Sequence, residues 1–442
     1  MFTSVTSSDT IQLAAPARPP APRTAPGAVL PVRAILLLAI LPAMPPSARA
    51  EWKVDSGCEL RESYDSNVFL QDQAPDPAIA GAVPARHASL QTMVAARVGL
   101  THQLAPETRF SFAYLPEAVW FHSAASENHS VHRTSLNLQG RPGPFAWELK
   151  NNAAWTDGSH EAPVFGGPGG APALGGAPVR DRRAAFVDRG AFRLSGTHGP
   201  WLGRVLATAY LHDFRTAQRR TAGYANYIDR SELLAGGEVG REIRPGTWLI
   251  AGYRGGRQQQ YRLLGTDSPY DSTLHRFVAG LEGTPWTWLK LNLLAGPEIR
   301  RFAPGTPAGF DRSVRPLWVD ATATFVLSGR QTCTLAFRRQ SQPSASSFGI
   351  YDDIVCDAAW RWRIGGHLAA TAGLKLARGD WQAPAVREDR IVTPSLLLQL
   401  ALGPRHSLEL GWSFDRALSR VPGTSAREFR HHLVSLDFKI SP

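Results

Sequence analysis

Asp157, Ser159, His160 and Glu161 lie together on one short stretch and carry the types that nucleophilic hydrolysis needs: a hydroxyl, an imidazole and carboxylates. A hydrolytic triad is recognised by geometry and roles, not by nearness in sequence, and a solvated loop accounts for these four. The sequence has no Gly-x-Ser-x-Gly elbow, no His-Glu-x-x-His and no Gly-Lys-Ser/Thr phosphate loop. Arg378-Gly379-Asp380 is an adhesion-like tripeptide that chance supplies easily. Three cysteines, Cys58, Cys333 and Cys356, are too few and too scattered for a zinc site or a disulfide framework. Cys333 and Cys356 fall on neighbouring strand-like segments and face the same way, which leaves a bridge and two separate buried thiols both open. The residues before Cys58 are too polar for lipid attachment, so its thiol reads as structural.

A different chemistry is open to the charged residues: selection of ions along a wall. Arg97, Arg109, Arg133, Lys150, Arg189, Arg193, Arg276, Lys290, Arg338, Arg361, Lys375 and Lys439 lie opposite the apolar face of short alternating segments. Glu148, Glu282, Asp320, Asp357, Glu409, Asp415 and Asp437 share their face. Twelve cations against seven anions leave an excess of five, in the direction of the whole-chain net charge of +11. Cations on a low-dielectric wall focus their field into the enclosed space and draw anions in. Pairing across strands would cancel part of that field, and then no single residue is a site. No catalytic, metal or cofactor-binding residue is expected, and no cofactor.

Such a wall needs elements with two different faces, and the period-two pattern of strands supplies them. Leu90, Thr92, Val94, Ala96, Val98 and Leu100 oppose Gln91, Met93, Ala95, Arg97 and Gly99. Near the C-terminus Leu408, Leu410, Trp412 and Phe414 oppose Glu409, Gly411, Ser413 and Asp415, and the 432–440 segment repeats the pattern. Segments 201–213 and 231–243 read poorly because Gly and Ala blur their faces. Ile228–Tyr261 and Tyr270–Phe302 resemble each other weakly, as two hairpin units.

Short Gly/Pro connections recur at Leu104–Glu107, Arg141–Pro144, His198–Pro200, Arg244–Thr247, Gly283–Pro285, Ser328–Arg330, Ile364–Gly366 and Gly403–Arg405. Nine longer polar loops are centred near 76, 126, 170, 220, 267, 308, 345, 383 and 422. Seventeen connections join eighteen strands, an even number, which puts both termini on one side. The fold class that follows is all-β: a transmembrane antiparallel up-and-down β-barrel with short periplasmic turns and longer extracellular loops. A barrel of about this size encloses an aqueous channel, whereas eight strands are filled by their own side chains.

Ala34–Met44 is the one strongly apolar run; it follows Arg33 and leads to Ala48-Arg49-Ala50, the form of a secretory signal cleaved after Ala50. Residues 1–50 therefore read as a signal peptide with an extended or misassigned N-terminus, and 51–442 as the barrel. Only one or two residues would precede the first strand, leaving no room for a plug domain. After residue 50 no run approaches the ~18 apolar residues of a membrane helix. Trp147, Trp201, Trp248, Trp286, Trp288, Trp360 and Trp362 lie close to the short turns, as an interfacial aromatic girdle would. A soluble sandwich would not need that placement. The expected location is the outer membrane of a Gram-negative bacterium.

Tyr64-Asp65-Ser66-Asn67-Val68-Phe69 resembles the Tyr-Asp-x-Asn-Val/Ile-Phe segment of the β-barrel porins of the second type, a family often associated with exopolysaccharide loci. The resemblance implies a channel, serving export of exopolysaccharide or passage of anionic solutes, with periplasmic polysaccharide-export proteins as partners. The alternative is a structural or adhesive barrel whose lumen is blocked by its loops. Phe165–Ala171 and the Gly/Ala run after it could supply such a constriction, or remain an external loop. Lipid and the barrel-insertion machinery are expected partners, and nucleic acid is not. Many such barrels end on an aromatic residue, whereas this chain runs on from Phe438 to Lys-Ile-Ser-Pro442.

Overall fold

The computed structural model describes residues 52–70, 72, 84–159, 183–214, 229–260, 270–304, 306, 309–343, 350–382, 387–420 and 428–441. Their strands are β1 (Trp52–Asp65), β2 (Ser89–Ala105), β3 (Thr108–Phe121), β4 (His129–Gly140), β5 (Phe145–Ser159), β6 (Arg183–His198), β7 (Trp201–Phe214), β8 (Arg230–Arg244), β9 (Thr247–Gln260) and β10 (Ser272–Trp286). Then come β11 (Leu289–Phe302), β12 (Ser313–Val314), β13 (Leu317–Ser328), β14 (Gln331–Pro343), β15 (Ile350–Arg363), β16 (Leu368–Trp381), β17 (Arg387–Ala401), β18 (His406–Arg420) and β19 (Phe429–Ile440). Spanning strands pair antiparallel with their sequence neighbours, and β19 returns to β1. β12 is a two-residue extension against Arg300 and Arg301, while β11 pairs onward with β13, so eighteen strands span. Closure gives each of them two partners. No helix among the described residues is long and apolar enough to cross a membrane; closed barrels cross with strands instead.

Large apolar side chains stand exposed on one parity of each strand, and the registers carry that parity from strand to strand. Exposed Leu60 lies beside Val94 on one side and Phe438 on the other. Leu410 lies beside Leu436, and Trp412 beside Val434. This continuous apolar exterior is what a bilayer solvates and water does not, so the chain is an outer-membrane barrel. Trp201, Trp286, Trp288, Trp360 and Trp362 are exposed near the turn end. Trp248 is an exception to the expected girdle: it packs with Ile250, Val278, Leu294 and Trp318 on the inner face.

Seven of the eight short turns fall where the Gly/Pro signals place them. At Gly283–Pro285 the strand continues instead, and the chain reverses at Thr287-Trp288. Gly283, at φ 135°, makes a bulge in β10, and the Thr284 N–H donates to the Gly246 carbonyl at 3.1 Å. A side chain at 283 would overlap that carbonyl, so this glycine serves close approach between neighbouring turns. The longer connections lie at the opposite end, which by the general rule for these barrels is extracellular.

Cys333 and Cys356 are free. Cys333 faces Trp360 across β14–β15, four residues along from Cys356. At ~3.4 Å per residue that offset is about 14 Å, beyond the reach of a disulfide.

The closing seam is short. β1 and β19 pair over Cys58–Asp65, eight positions, against fourteen between β1 and β2.

Candidate functional site

The face opposite the apolar belt is the lumenal wall, and its charges fall into two environments. On β2 to β6 the register points Arg97, Arg133, Lys150 and Arg193 inward, yet their side chains are 47–50% exposed. Water therefore reaches this stretch of wall. Each has a carboxylate: Arg97 with Asp55 at 3.1 Å, Arg133 with Glu117 at 2.6 Å, Lys150 with Glu148 at 2.7 Å, and Arg193 with Glu282 at 3.3 Å. In every pair the cation is the more exposed partner, the acids being 20–30% exposed.

The remaining cations divide by contact. Arg338 pairs with Asp353 at 3.2 Å, and Lys439 with Glu409 at 2.7 Å. Arg189 lies over the Tyr210 ring at 5.1 Å. Lys375 stands opposite Asp357 in the β15–β16 register, and Asp320 opposite Arg338 in β13–β14. Arg109, Lys290 and Arg361 stand exposed towards the turn end, without an ion pair among the described residues.

The arc from β7 to β13 is different. Glu298 accepts from Arg276 at 2.6 Å and from Arg300 at 3.0 Å, all three nearly excluded from water. Arg300 also donates to Gln258 at 3.0 Å. Arg204 bridges Glu238 and Glu282, both at 2.7 Å. Trp318 lies under two guanidinium groups, Arg254 at 5.3 Å and Arg276 at 4.4 Å. Arg193 on β6 and Glu282 on β10 touch although three strands separate them, so the wall curves sharply here.

Glycine allows that curvature. A Cβ on inward Gly280 would overlap the Leu293 carbonyl, and one on Gly296 the Phe277 carbonyl. Backbones that close leave no room for side chains on the concave face. Arg276 thus belongs to a packed, dry corner and not to an aqueous wall. The sequence pattern also missed Arg61, Arg204, Arg254 and Arg300, together with the acids Asp55, Glu117, Glu238, Glu298 and Asp353. With more acids than bases among these, the inward excess of cations is smaller than five.

The Tyr64–Phe69 segment folds over the loop end of the lumen. Ser66 N donates to the His432 carbonyl at 3.0 Å, and His432 N returns to Ser66 Oγ at 2.7 Å. Asn67 is 1% exposed; its N–H donates to Asp65 Oδ1 at 2.8 Å, and its amide to Asp72 Oδ1 and the Arg430 carbonyl, both at 3.0 Å. Val68 and Phe69 pack with Ala124 and Phe121. Leu70 sits among Tyr351, Ala377, Ile391, Ala417 and Phe429, inward residues of β15 to β19. It holds φ 51°, a conformation that costs about 1–2 kcal/mol, offset by burial. Beneath it His431 lies between Asp65 and Asp415, 3.0 Å from each. An apolar triplet directly after Asp65-Ser66-Asn67 was the available signal for this inward turn. In the loop before β10, burial against Phe310 pushes the Tyr270 phenol above its ordinary range.

The local motifs resolve as structure. Asp157 receives Ser130 N at 2.7 Å and Ser130 Oγ at 3.0 Å, fastening two strand ends; His160 and Glu161 lie outside the described residues, as does Phe165–Ala171. Arg378 and Asp380 are part of β16 and bond each other at 2.8 Å. No group of metal-binding residues occurs among the described residues.

No protein-family profile matches the chain, and no curated protein matches it in sequence. Solved structures similar to it include OccK2 (OpdF) of Pseudomonas aeruginosa, at 11% identity and a TM-score of 0.46, covering 88% of this chain and 98% of that one. The outer membrane protein opdK of the same organism is 9% identical at a TM-score of 0.44, with 88% and 99% covered. A BenF-like porin from Pseudomonas fluorescens Pf-5 gives 9%, 0.44, 88% and 99%.

Proposed function

We propose that the barrel is a channel that passes small anionic solutes. The observation that carries this reading is the orientation of the pairs on β2 to β6, where the cation stands further into water than its acid. Half-exposed pairs are worth ~0–1 kcal/mol each, so a passing carboxylate or phosphate can exchange with the resident acid at little cost. Arg109, Lys290 and Arg361 extend the positive lining towards the turn end.

Reversal potentials in planar bilayers under a salt gradient test the proposal. Anion preference is expected, and Arg133→Glu with Lys150→Glu should shift it towards cations. Cation selectivity of the unaltered protein would refute it. A second reading, a structural barrel with a blocked lumen, is favoured by the packed corner and by Leu70 at the loop end, and predicts no conductance. Export of exopolysaccharide rests on Tyr64–Phe69 alone, and the contacts of those residues serve to fold the loop end.

A further inference from the structure

On the outside of β14 to β19, near the loop end, the apolar pattern gives way to arginine. Arg339, Arg378, Arg390, Arg416, Arg420 and Arg430 share the parity of exposed Leu376, Val392, Leu418 and Val434, so they face outward. The registers join them in one patch: Arg378 lies opposite Arg390, Arg420 opposite Glu388, and Arg416 opposite both Val392 and Arg430. Four acids share the patch. Glu428, exposed two residues before Arg430, accepts from the Ser419 N–H at 3.3 Å. Asp352 meets Arg339 at 3.1 Å, Asp380 meets Arg378 at 2.8 Å, and Glu388 pairs with Arg390. Arg416, Arg420 and Arg430 are exposed and make no ion pair among the described residues.

Like charges directly opposite one another in a sheet are destabilising. Arg378 against Arg390 and Arg416 against Arg430 put that arrangement at two places in one patch. Only the first is answered by carboxylates of the chain. The patch lies where the apolar belt ends towards the longer connections, the end that the general rule for these barrels puts at the outer leaflet. The matching outward positions of β1 to β3 hold no such cluster: Glu62, Thr92 and His122 hydrogen-bond one another there, beside exposed Trp120.

We propose that this patch binds the phosphate groups of outer-leaflet glycolipid, with the acyl chains lying on the apolar surface of Leu376, Val392, Trp412 and Val434 below. Guanidinium matches phosphate bidentately, and basic clusters beside a membrane surface recognise anionic headgroups. The phosphates would neutralise Arg416, Arg420 and Arg430, which make no ion pair among the described residues, and would hold lipid on this side of the barrel.

The test is binding of diphosphoryl lipid A, and of its dephosphorylated form, to the detergent-folded barrel, read by native mass spectrometry. The phosphorylated lipid should bind, and Arg416→Gln/Arg420→Gln/Arg430→Gln should weaken it by about tenfold or more. Arg257→Gln/Arg301→Gln, outward on β9 and β11, should leave it unchanged. Equal affinity of the triple variant, or equal binding of the two lipids, would overturn the proposal. So would displacement of the lipid by millimolar inorganic phosphate, which would assign the arginines to free anions. Heat-modifiable gel migration reports whether each variant is folded, and Arg430→Gln alone provides the same comparison at smaller amplitude.

Discussion

Between β7 and β13 the inward side chains around Glu298 and Trp318 are packed away from water, whereas between β2 and β5 inward side chains of the same types stand in it. Arg276 and Arg133 are both inward arginines bonded to a glutamate at 2.6 Å, yet one side chain is 8% exposed and the other 47%. The difference lies in the backbone beneath them. Glycine at 280 and 296 lets neighbouring strands bend until their inner faces meet, and charges caught there become structural. The open arc keeps its charges in water, where the proposed channel would use them.

The contrast breaks most completely at the bend itself. Gly280→Val drives a side chain into the Leu293 carbonyl and should abolish the folded barrel, a loss above about 4 kcal/mol. Ala95→Val, inward on β2, should fold normally; heat-modifiable migration compares the two. Next in size is Glu298→Gln, which leaves Arg276 and Arg300 buried beside a neutral amide and should lower stability by about 3 kcal/mol. Asp55→Asn removes an acid from the open arc and should cost less than ~1 kcal/mol, measured by urea titration of both. At the loop end the expected effect lies between these two. Asn67→Ala removes two buried hydrogen bonds, should cost about 1–2 kcal/mol, and should speed cleavage of residues 66–88 by protease added outside.

The strand number and the sites of seven turns were legible because alternation and Gly/Pro signals are local. The glycines that blurred β8 were legible too, but only as noise: Gly236, like Gly280, would meet a neighbouring backbone, a relation no single strand reveals. For the same reason Trp248 looked interfacial. It is near a turn, and only the pairing with Glu242 and Glu282 shows that it points inward. The register turns Arg97 and Lys150 inward, but alternation is silent on who stands opposite. Asp55 and Glu117 lie on strands whose faces mix polar and apolar residues, so alternation alone left them unassigned.

The short seam bears on how the barrel comes together. Every other pairing between spanning strands joins two that follow one another along the chain, eight of them across turns of a few residues, but Arg61 and Asp437 are 376 residues apart. Closing a loop of that length costs about 4 kcal/mol more than closing a tight hairpin, from its logarithmic dependence on length. The seam makes this contact with only eight register positions, and it is also stitched by charge: Arg61 to Asp437, Lys439 to Glu59 at 3.8 Å, and His431 to Asp65 at 3.0 Å. Closure from flexible chain is thus the entropically dearest pairing, and long-range ionic contacts within the lumen, where lipid cannot reach, are placed at that join.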